Sequence, residues 1–251
     1  MKHPSPTLLL LLLLACACSS PSDPAVAAKK DCNDEYQEMS SSPFASTTQA
    51  LKRVDTYLND FNNTDCPHLD DAQRLKELFE EMDLFFHNRQ YDSYHAYLTA
   101  AQEKETLFLN SGYPAVRTTW LQLYENDKKA KLQQALNDLT AESFMAKFKE
   151  SAEGIAKDEY CGNGPFAWEV TSSEIIDIST PVLLTQNNGK QCQASVRVHI
   201  SGPLGWRSGA IKIQLIGQLL YNETGMTEYT LVDYSVSDRT GNMPIFSSLG
   251  N

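Results

Sequence analysis

The segment from residue 87 to residue 97 carries the side chains best suited to recognising another molecule. It joins two predicted helices and contains His87, Arg89, Tyr91, Asp92, Tyr94, His95 and Tyr97. Tyrosine and arginine combine a large contact area with hydrogen-bond donors, and both are enriched at binding hot spots. The pattern predicts a recognition patch that uses all of these residues except Asp92 and Tyr97. The same segment also fits an amphipathic helix with half-buried tyrosines and a solvated loop.

The loop from Ser201 to Gly209 is a second candidate for binding. It connects two predicted strands and is longer than the tight turn that a simple hairpin needs. It contains Trp206 and Arg207, whose side-chain types are the most enriched at interfaces. We therefore expect these two residues to take part in binding. In the alternative interpretation, Trp206 folds back over the open end of the sheet and the glycines only turn the chain.

Signatures of catalysis and of cofactor binding are absent from the sequence. There is no G-x-S-x-G elbow, phosphate-binding loop, G-x-G-x-x-G or H-E-x-x-H motif. The adjacent acids of Glu80-Glu81 point to different faces of a helix, so they cannot act as an acid–base pair across a sugar. His87, Asp92 and His95 have no spacing that fixes a metal geometry. We expect no cofactor and no metal.

The first residues of the chain have the composition of an export signal. A weakly basic start is followed by an unbroken leucine run from Leu8 to Leu14. That run is far shorter than the roughly 20 apolar residues that a membrane-spanning helix needs. The sequence therefore predicts an exported protein rather than an integral membrane protein.

The end of this leader, Leu13-Leu14-Ala15-Cys16, resembles the lipobox of bacterial lipoproteins. The resemblance implies a signal peptide over 1–15, a palmitate-type lipid on the Cys16 thiol and a tether over 16–30. Two or more acyl chains anchor a protein stably to a bilayer. Because Ala17 follows the cysteine instead of Asp, the resemblance implies the outer membrane, facing the periplasm or the cell surface.

Two alternatives to the lipoprotein interpretation remain open. Ala15-Cys16-Ala17 also fits the A-x-A site of ordinary signal peptidase, which would release a secreted chain beginning at Cys18. A eukaryotic secreted origin is also compatible with the N-x-T glycosylation patterns at Asn62-Asn63-Thr64 and Asn222-Glu223-Thr224.

The remaining cysteines form an even set in a compartment that oxidises thiols. With Cys16 lipidated and Cys18 in the tether, the set is Cys32, Cys66, Cys161 and Cys192. We prefer the pairs Cys32–Cys66 and Cys161–Cys192 among the three possible pairings, because each would link one segment of distinct character. Metal ligation is disfavoured, since no C-x-x-C motif occurs and no histidine lies at ligand spacing.

Apolar residues recur at helical spacing through the first half of the mature chain. The stripes run over Leu51 to Phe61, Ala72 to Phe86, Ser93 to Leu109, residues 115–137 and Phe144 to Ile155. Ser46 and Gln49 have the spacing of a capping box before the first stripe, and Thr140 is the predicted N-cap of the last. Glu125-Asn126-Asp127 fits a break in the fourth segment.

From residue 162 onward the apolar period changes from that of a helix to that of a strand. Cys192, Ala194, Val196, Val198 and Ile200 alternate with polar residues, which predicts a strand with one solvated face. Further strands are predicted near 168–178, with a bend at 171–173, and over 210–221 and 227–237. Asn187-Asn188-Gly189 and the segment Asn222–Gly225 predict turns.

These elements predict an α+β protein in which an N-terminal helical region precedes a helix packed on a curved antiparallel sheet. We expect a helical region over 31–137, a helix-plus-sheet domain over 138–246 and a tail over 247–251. From Leu139 to Val236, the element order looks like that of cystatin-like or NTF2-like proteins.

The features together predict a lipid-anchored envelope protein that binds a protein or an envelope component and does not catalyse a reaction. The formal net charge of −11 repels phosphate backbones, so we expect no nucleic-acid partner. One alternative is a carrier of a small apolar ligand, in a pocket between the sheet and Phe144 and Phe148. A less favoured alternative is a hydrolase that brings His199, Arg197 and Asp233 together across strands.

Overall fold

A computed structural model describes residues 31–161, 167–202 and 208–241. The α-helices of this part of the chain are α1 (Cys32–Ser41), α2 (Thr47–Phe61), α3 (Leu69–Asp83), α4 (Tyr94–Leu109), α5 (Pro114–Asp138) and α6 (Ala141–Ala156). The strands are β1 (Glu169–Ile178), β2 (Val182–Leu183), β3 (Gly189–Ser201), β4 (Ser208–Tyr221) and β5 (Thr227–Gly241). The predicted α+β class is confirmed.

The predicted helix starts are confirmed by their hydrogen bonds. The Ser46 hydroxyl accepts from the Gln49 amide at 3.1 Å at the start of α2, and Ser93 does the same for Ala96 at the start of α4. Thr140 and Ser143 form a reciprocal capping box at the start of α6. Such caps satisfy backbone donors that a helix leaves unpaired at its first turn.

The structure adds three features that the periodicity did not predict. Helix α1 precedes the first predicted stripe and begins at an Asp31 cap. Helix α3 continues into a π-helical turn over Leu84–Asn88, and α6 into another over Lys157–Cys161. These turns add an extra residue to the helical repeat, and such insertions are frequent at functional sites.

Helix α5 is continuous, so the predicted break at Glu125-Asn126-Asp127 is wrong. Glu125 and Asn126 are exposed and Asp127 is half-buried within an unbroken helix. Asn and Asp disfavour a helix interior by only about 0.7 kcal/mol each, which packing on one face overcomes. The helix therefore carries one continuous surface past α4.

The helices α1 to α5 enclose an aromatic core. Its largest fully buried side chains include Tyr57, Phe79, Phe85, Tyr97, Phe108 and Trp120. The Trp120 ring contacts Phe108 at 4.6 Å and Phe85 at 5.1 Å between centroids. Such ring pairs stabilise a core beyond the effect of buried area alone.

The Cys32–Cys66 disulfide attaches α1 to this core, as predicted. It closes a loop with a sequence separation of 34, for which the chain-entropy model gives about 4 kcal/mol. The Tyr57 hydroxyl donates to the Cys32 carbonyl at 3.2 Å and lies 2.9 Å from Cys66 Sγ. Structural disulfides persist in oxidising compartments, so this bond indicates a chain that matures outside the reducing cytosol.

The strands form one open antiparallel sheet in the order β1-β3-β4-β5, with the short β2 also paired to β3. The predicted hairpins are present: β2 leads into β3 through Asn187, and β4 into β5 through Asn222. The predicted bend in β1 appears as a register shift between Val170 and Ser172. Further shifts in β1 and β5 add to the twist and bending of the sheet.

Helix α6 covers one face of the sheet, and the space between them is filled by side chains. Phe144 and Phe148 are fully buried with ring centroids 5.7 Å apart. They pack against the alternating inward residues of β3 and β4: Cys192, Ala194, Val196, Val198, Ile200, Ile211, Ile213, Leu215 and Leu219. Gly217 lies where the Phe148 and Tyr229 rings leave no room for a Cβ atom.

The predicted Cys161–Cys192 disulfide is wrong, because the two buried cysteines are free. Cys161 lies beside Val170, and Val170 pairs with Ile200 near one end of β3. Cys192 is eight residues away along the same strand, a distance of about 26 Å at the usual rise per residue. Disulfide formation needs Cα atoms within about 7 Å.

The helical core and the sheet core meet at the C-terminal part of α5. Leu132 and Tyr221 pack against both cores, and the Tyr221 hydroxyl donates to the Ala135 carbonyl at 3.2 Å. The buried residues divide between Ala135 and Leu136, close to the expected boundary at 137/138. The division into a helical region over 31–137 and a helix-plus-sheet domain over 138–246 stays a prediction. No helix in the described ranges is long and apolar enough to cross a membrane.

Candidate binding groove

Most of the predicted recognition patch lies along a groove between α4 and α5, which we call the α4–α5 groove. Its volume is about 470 Å³, within the range of sites for small molecules. It is lined by Phe86, His87, Arg89, Gln90, Tyr91, Asp92, Ser93, Tyr94, Tyr97, Lys131, Gln134, Ala135 and Asp138. Of the five candidate residues in this segment, His87, Arg89, Tyr91 and Tyr94 therefore share one cavity, and His95 does not.

Three tyrosines form the aromatic wall of the groove. The Tyr97 ring meets Tyr91 edge-on at 5.3 Å and stacks with Tyr94 at 6.3 Å between centroids. Tyr91 is fixed by a hydrogen bond from its hydroxyl to the Phe85 carbonyl at 3.2 Å. Burial raises the pKa of Tyr91 and of Tyr94, so both hydroxyls stay protonated at neutral pH.

The Tyr97 side chain places an unpaired hydroxyl within this wall. Tyr97 is 1% exposed, and its hydroxyl has no hydrogen-bond partner in the structure. The nearest charge is the Asp127 carboxylate, whose Oδ2 atom is also buried without a hydrogen-bond partner. Burial, and then the negative charge of Asp127, raises the pKa of Tyr97 well above its usual value. The hydroxyl is therefore protonated and lies beside a carboxylate of α5 that is not among the residues lining the groove.

The charged side chains of the groove differ in how they are held. His87 Nδ1 lies 2.9 Å from Asp83, and Asp83 also accepts from the Thr47 hydroxyl at 2.5 Å. Arg89 lies 3.9 Å from Glu81 and retains 38% of its side-chain exposure. Among the described residues, Lys131 has no carboxylate within 4.0 Å, so its ammonium group is available to a ligand.

The second wall of the groove comes from α5 and was missed by sequence reasoning. Lys131, Gln134 and Asp138 follow Trp120 and Asp127 at helical spacings, so all five share one face of the helix. The apolar part of this face packs in the helical core, and its polar part lines the groove. A polar continuation of an apolar stripe was the signal available in the sequence.

His95 lies on a different side of α4, where it contacts the turn between β4 and β5. Its Nδ1 is 2.6 Å from the Thr224 carbonyl oxygen. Gly225 has a positive φ of 78° and lies so close that a Cβ atom there would be 2.9 Å from the His95 backbone. His95 thus joins the helical region to the sheet.

The same turn gives the Asn222 pattern a structural role. The Asn222 side-chain oxygen accepts from the Thr224 and Met226 amides at 3.0 Å, and its amide donates to Glu228 at 2.8 Å. These bonds are those of an Asx turn, which Asn favours at hairpin connections. The Asn222-Glu223-Thr224 pattern therefore has a role in the turn, and glycosylation at this position stays a prediction.

The other predicted binding and catalytic residues do not add to the groove. Trp206 and Arg207 lie outside the described residues. Arg197 pairs with Glu174 at 2.8 Å on the solvated sheet face, and His199 lies 3.8 Å from the same carboxylate. Asp233 pairs in register with Ile216, four strand positions away from the level of Arg197, so the hypothetical hydrolase triad is not assembled.

Comparison of the chain with protein-family models, curated proteins and solved structures gives no match. The likeness to cystatin-like or NTF2-like proteins therefore stays a prediction. Its serine, Ser93, is the N-cap of α4, and its histidine, His87, is paired with Asp83. The described part of the chain contains no cluster of potential metal ligands.

Proposed function

We propose that this chain is a lipoprotein of the cell envelope, anchored through Cys16, that acts as a non-enzymatic binding module for a protein or an envelope component. The observation that carries the proposal is the α4–α5 groove. It combines a tyrosine wall with the cationic side chains of Arg89 and Lys131. Aromatic surface with a few oriented polar groups is characteristic of binding sites.

The Cys32–Cys66 disulfide supports the envelope location in this proposal. It fixes the N-terminus of the folded body and requires an oxidising compartment. Between Cys16 and Asp31 the chain can reach at most about 50 Å, even when fully extended. A lipid on Cys16 would therefore keep Asp31, where the described body begins, within about 50 Å of the membrane.

The filled sheet core favours a binding module over a carrier of an apolar ligand. Ile211, Ile213 and Leu215 are at most 1% exposed, and Phe148 packs directly against the backbone at Gly217. A carrier would need an open cavity among these side chains. The hydrolase alternative lacks support because Asp233 is far from His199 along the sheet.

The anchoring part of the proposal is tested by expressing the full chain in a Gram-negative host and analysing its N-terminal peptide by mass spectrometry. We expect the wild type to begin at Cys16 with acyl chains attached and to fractionate with membranes. Cys16→Ala should abolish the lipid and release the protein, whereas the matched control Cys18→Ala should remain anchored. An unlipidated N-terminus at Cys18 would exclude the anchor.

The binding part is tested by incubating the body, starting at Asp31, with a detergent extract of the native envelope. We expect the wild type to retain one component in a stoichiometric amount, and Arg89→Ala/Lys131→Ala to lose it. Lys147→Ala/Lys212→Ala removes the same charge outside the groove and should behave as the wild type. Equal retention by all three proteins would contradict a role for the groove.

A further inference from the structure

We propose that the Cys32–Cys66 disulfide is a mechanical clamp, which passes tension from the N-terminal tether to α3 and leaves α1 and α2 unloaded. The inference rests on the proposed function, because a lipid on Cys16 and a partner held in the α4–α5 groove would load the chain from both sides. It depends on the position of the bond, on the weak hold of α1 and on a contact between α2 and the groove.

The disulfide joins the beginning of the first helix to the segment just before α3. Cys32 is the first residue of α1, and Cys66 lies three positions before Leu69, where α3 begins. Tension that enters the body at Asp31 therefore passes through the two sulfur atoms and continues into α3. Residues 33–65 include the rest of α1 and the whole of α2, and they lie inside the closed loop, so they carry none of this tension.

The two helices at the ends of this path differ in how firmly they are held. Helix α1 has ten residues, fewer than the roughly 12–15 that an isolated helix needs in water. Its buried residues are Tyr36, Met39 and Ser40. Helix α3 places Leu75 and Phe79, both fully buried, in the centre of the helical core. The disulfide thus moves the point of load from a weakly held helix to a firmly held one.

The polar contacts of α1 give little resistance to peeling. Arg53 of α2 pairs with Glu35 and lies 3.3 Å from Glu38, and the Tyr36 ring stacks on His68 at 4.2 Å between centroids. Ion pairs near the surface contribute little to stability. Because Arg53 belongs to α2, a load that peeled α1 from the body would reach α2 next.

Helix α2 in turn supports one residue of the groove. The hydroxyl of Thr47, the first residue of α2, donates to Asp83 at 2.5 Å, and Asp83 lies 2.9 Å from His87 Nδ1. His87 lines the groove. Displacement of α2 would remove the Thr47 donor from the carboxylate that orients His87. By keeping α2 unloaded, the clamp preserves this part of the groove while the body is held between the membrane and a partner.

Single-molecule force spectroscopy on the chain from Ser19 to Asn251 tests the clamp. One handle is attached at the N-terminus and the other at Gln133→Cys, an exposed position of α5, so that the load runs from the tether towards the groove. With the disulfide intact, we expect no event before the main unfolding of the helical region. Cys32→Ala/Cys66→Ala should add an event at lower force, and its fully stretched chain should be about 12 nm longer.

Two controls separate the clamp from a general loss of stability. Cys161→Ala/Cys192→Ala also removes two cysteines, but these form no disulfide, so no event at lower force should appear. Adding a reductant to the disulfide-bonded chain under load should reproduce the event at lower force without requiring the variant to fold.

Unfolding of Cys32→Ala/Cys66→Ala in one event, at the force measured for the disulfide-bonded chain, would overturn the clamp. An event at lower force that also occurs in the Cys161→Ala/Cys192→Ala control would overturn it as well. The chain in this experiment carries no lipid, so the result does not depend on the anchor. An unlipidated N-terminus in the mass-spectrometry test would contradict the anchor and leave the force traces unchanged, which distinguishes the two failures.

Discussion

At the scale of single residues, two buried tyrosine hydroxyls have opposite environments. Tyr57 and Tyr97 are 2% and 1% exposed. The Tyr57 hydroxyl contacts both the Cys32 carbonyl and Cys66 Sγ, whereas that of Tyr97 has no hydrogen-bond partner. Evolution commonly retains an unsatisfied buried group when that group has a role outside the stability of the fold.

Substituting each tyrosine by phenylalanine distinguishes these environments by the effect on the free energy of unfolding. We expect Tyr57→Phe to lower the free energy of unfolding by about 1 kcal/mol, because satisfied hydrogen bonds are lost. Tyr97→Phe should leave it unchanged or raise it by up to about 1 kcal/mol, because no bond is lost and a desolvated polar atom is removed. Urea unfolding of both variants measures the difference. A similar loss in both would mean that the Tyr97 hydroxyl is bonded, with Asp127 as the neighbouring acceptor.

The cysteines give a second prediction at this scale. In the body starting at Asp31, we expect no thiol to react with Ellman's reagent in the native state, since Cys161 and Cys192 are buried. Burial also raises the pKa of both thiols, which lowers the fraction of reactive thiolate. After unfolding without reductant, two thiols should react, and after reduction, four. No reactive thiol in the unfolded, unreduced protein would contradict the free pair.

At the scale of elements, the contact between α6 and the sheet depends on Gly217, which has no side chain. A Cβ atom at Gly217 would lie 2.6 Å from the Tyr229 ring and 2.9 Å from the Phe148 ring. Both rings are part of the sheet core, so neither can move freely. Close packing at this point is what brings α6 against β4.

Gly217→Ala should therefore lower the free energy of unfolding by about 1–3 kcal/mol through overpacking. The matched control is Gly154→Ala within α6, where a Cβ atom meets nothing within 4 Å. There, alanine should raise stability by about 0.5–1 kcal/mol, because it favours the helix more than glycine does. Thermal unfolding measures both changes. Stabilisation by Gly217→Ala would show that Phe148 is not fixed against the strand.

The elements were largely predictable from the sequence because their signals are local. The predicted caps at Ser46 and Thr140 and the alternation from Cys192 to Ile200 depend on neighbouring residues, and the structure confirms them. Helix α1 was missed because only Tyr36 and Met39 mark its apolar face. A short amphipathic segment with two apolar positions is stabilised by its tertiary contacts and the disulfide, which no local pattern reveals.

Only the wall of the groove that is contiguous in the sequence could be predicted, because only its signals are local. The residues from His87 to Tyr94 are contiguous, so their chemistry is visible in the sequence. Lys131 and Asp138 join them only through the antiparallel packing of α4 on α5. The Cys161–Cys192 prediction failed for the opposite reason: sequence grouping suggested proximity, but a strand separates residues rapidly along its length.

At the scale of the whole molecule, the turn between β4 and β5 connects the sheet to the helical region. It contacts α4 through the bond between His95 and the Thr224 carbonyl and through the close approach of Gly225. Tyr221, at the end of β4, meets Tyr94 of the groove wall edge-on at 5.6 Å. The position of one groove wall is thus linked to the sheet.

Gly225→Ala should loosen this junction for two reasons. Its φ of 78° disfavours any residue with a Cβ atom, and that atom would lie 2.9 Å from the His95 backbone. Gly112→Ala is the matched control, because Gly112 has a φ of 83° but its Cβ position is open. Backbone strain of about 1–2 kcal/mol is common to both variants. Any additional loss of stability in Gly225→Ala therefore comes from the weakened contact between the β4–β5 turn and α4.

Hydrogen exchange followed by mass spectrometry measures that loss by region. In Gly225→Ala we expect faster exchange in the first turns of α4 and in the ends of β4 and β5, because the contacts of His95 and Tyr94 with the sheet weaken together. In Gly112→Ala, faster exchange should be confined to the connection between α4 and α5. The same pattern in both variants would mean that the turn lies against α4 without stabilising it. Faster exchange in α4, β4 and β5 that occurs only in Gly225→Ala would instead link the geometry of the groove to the docking of the sheet.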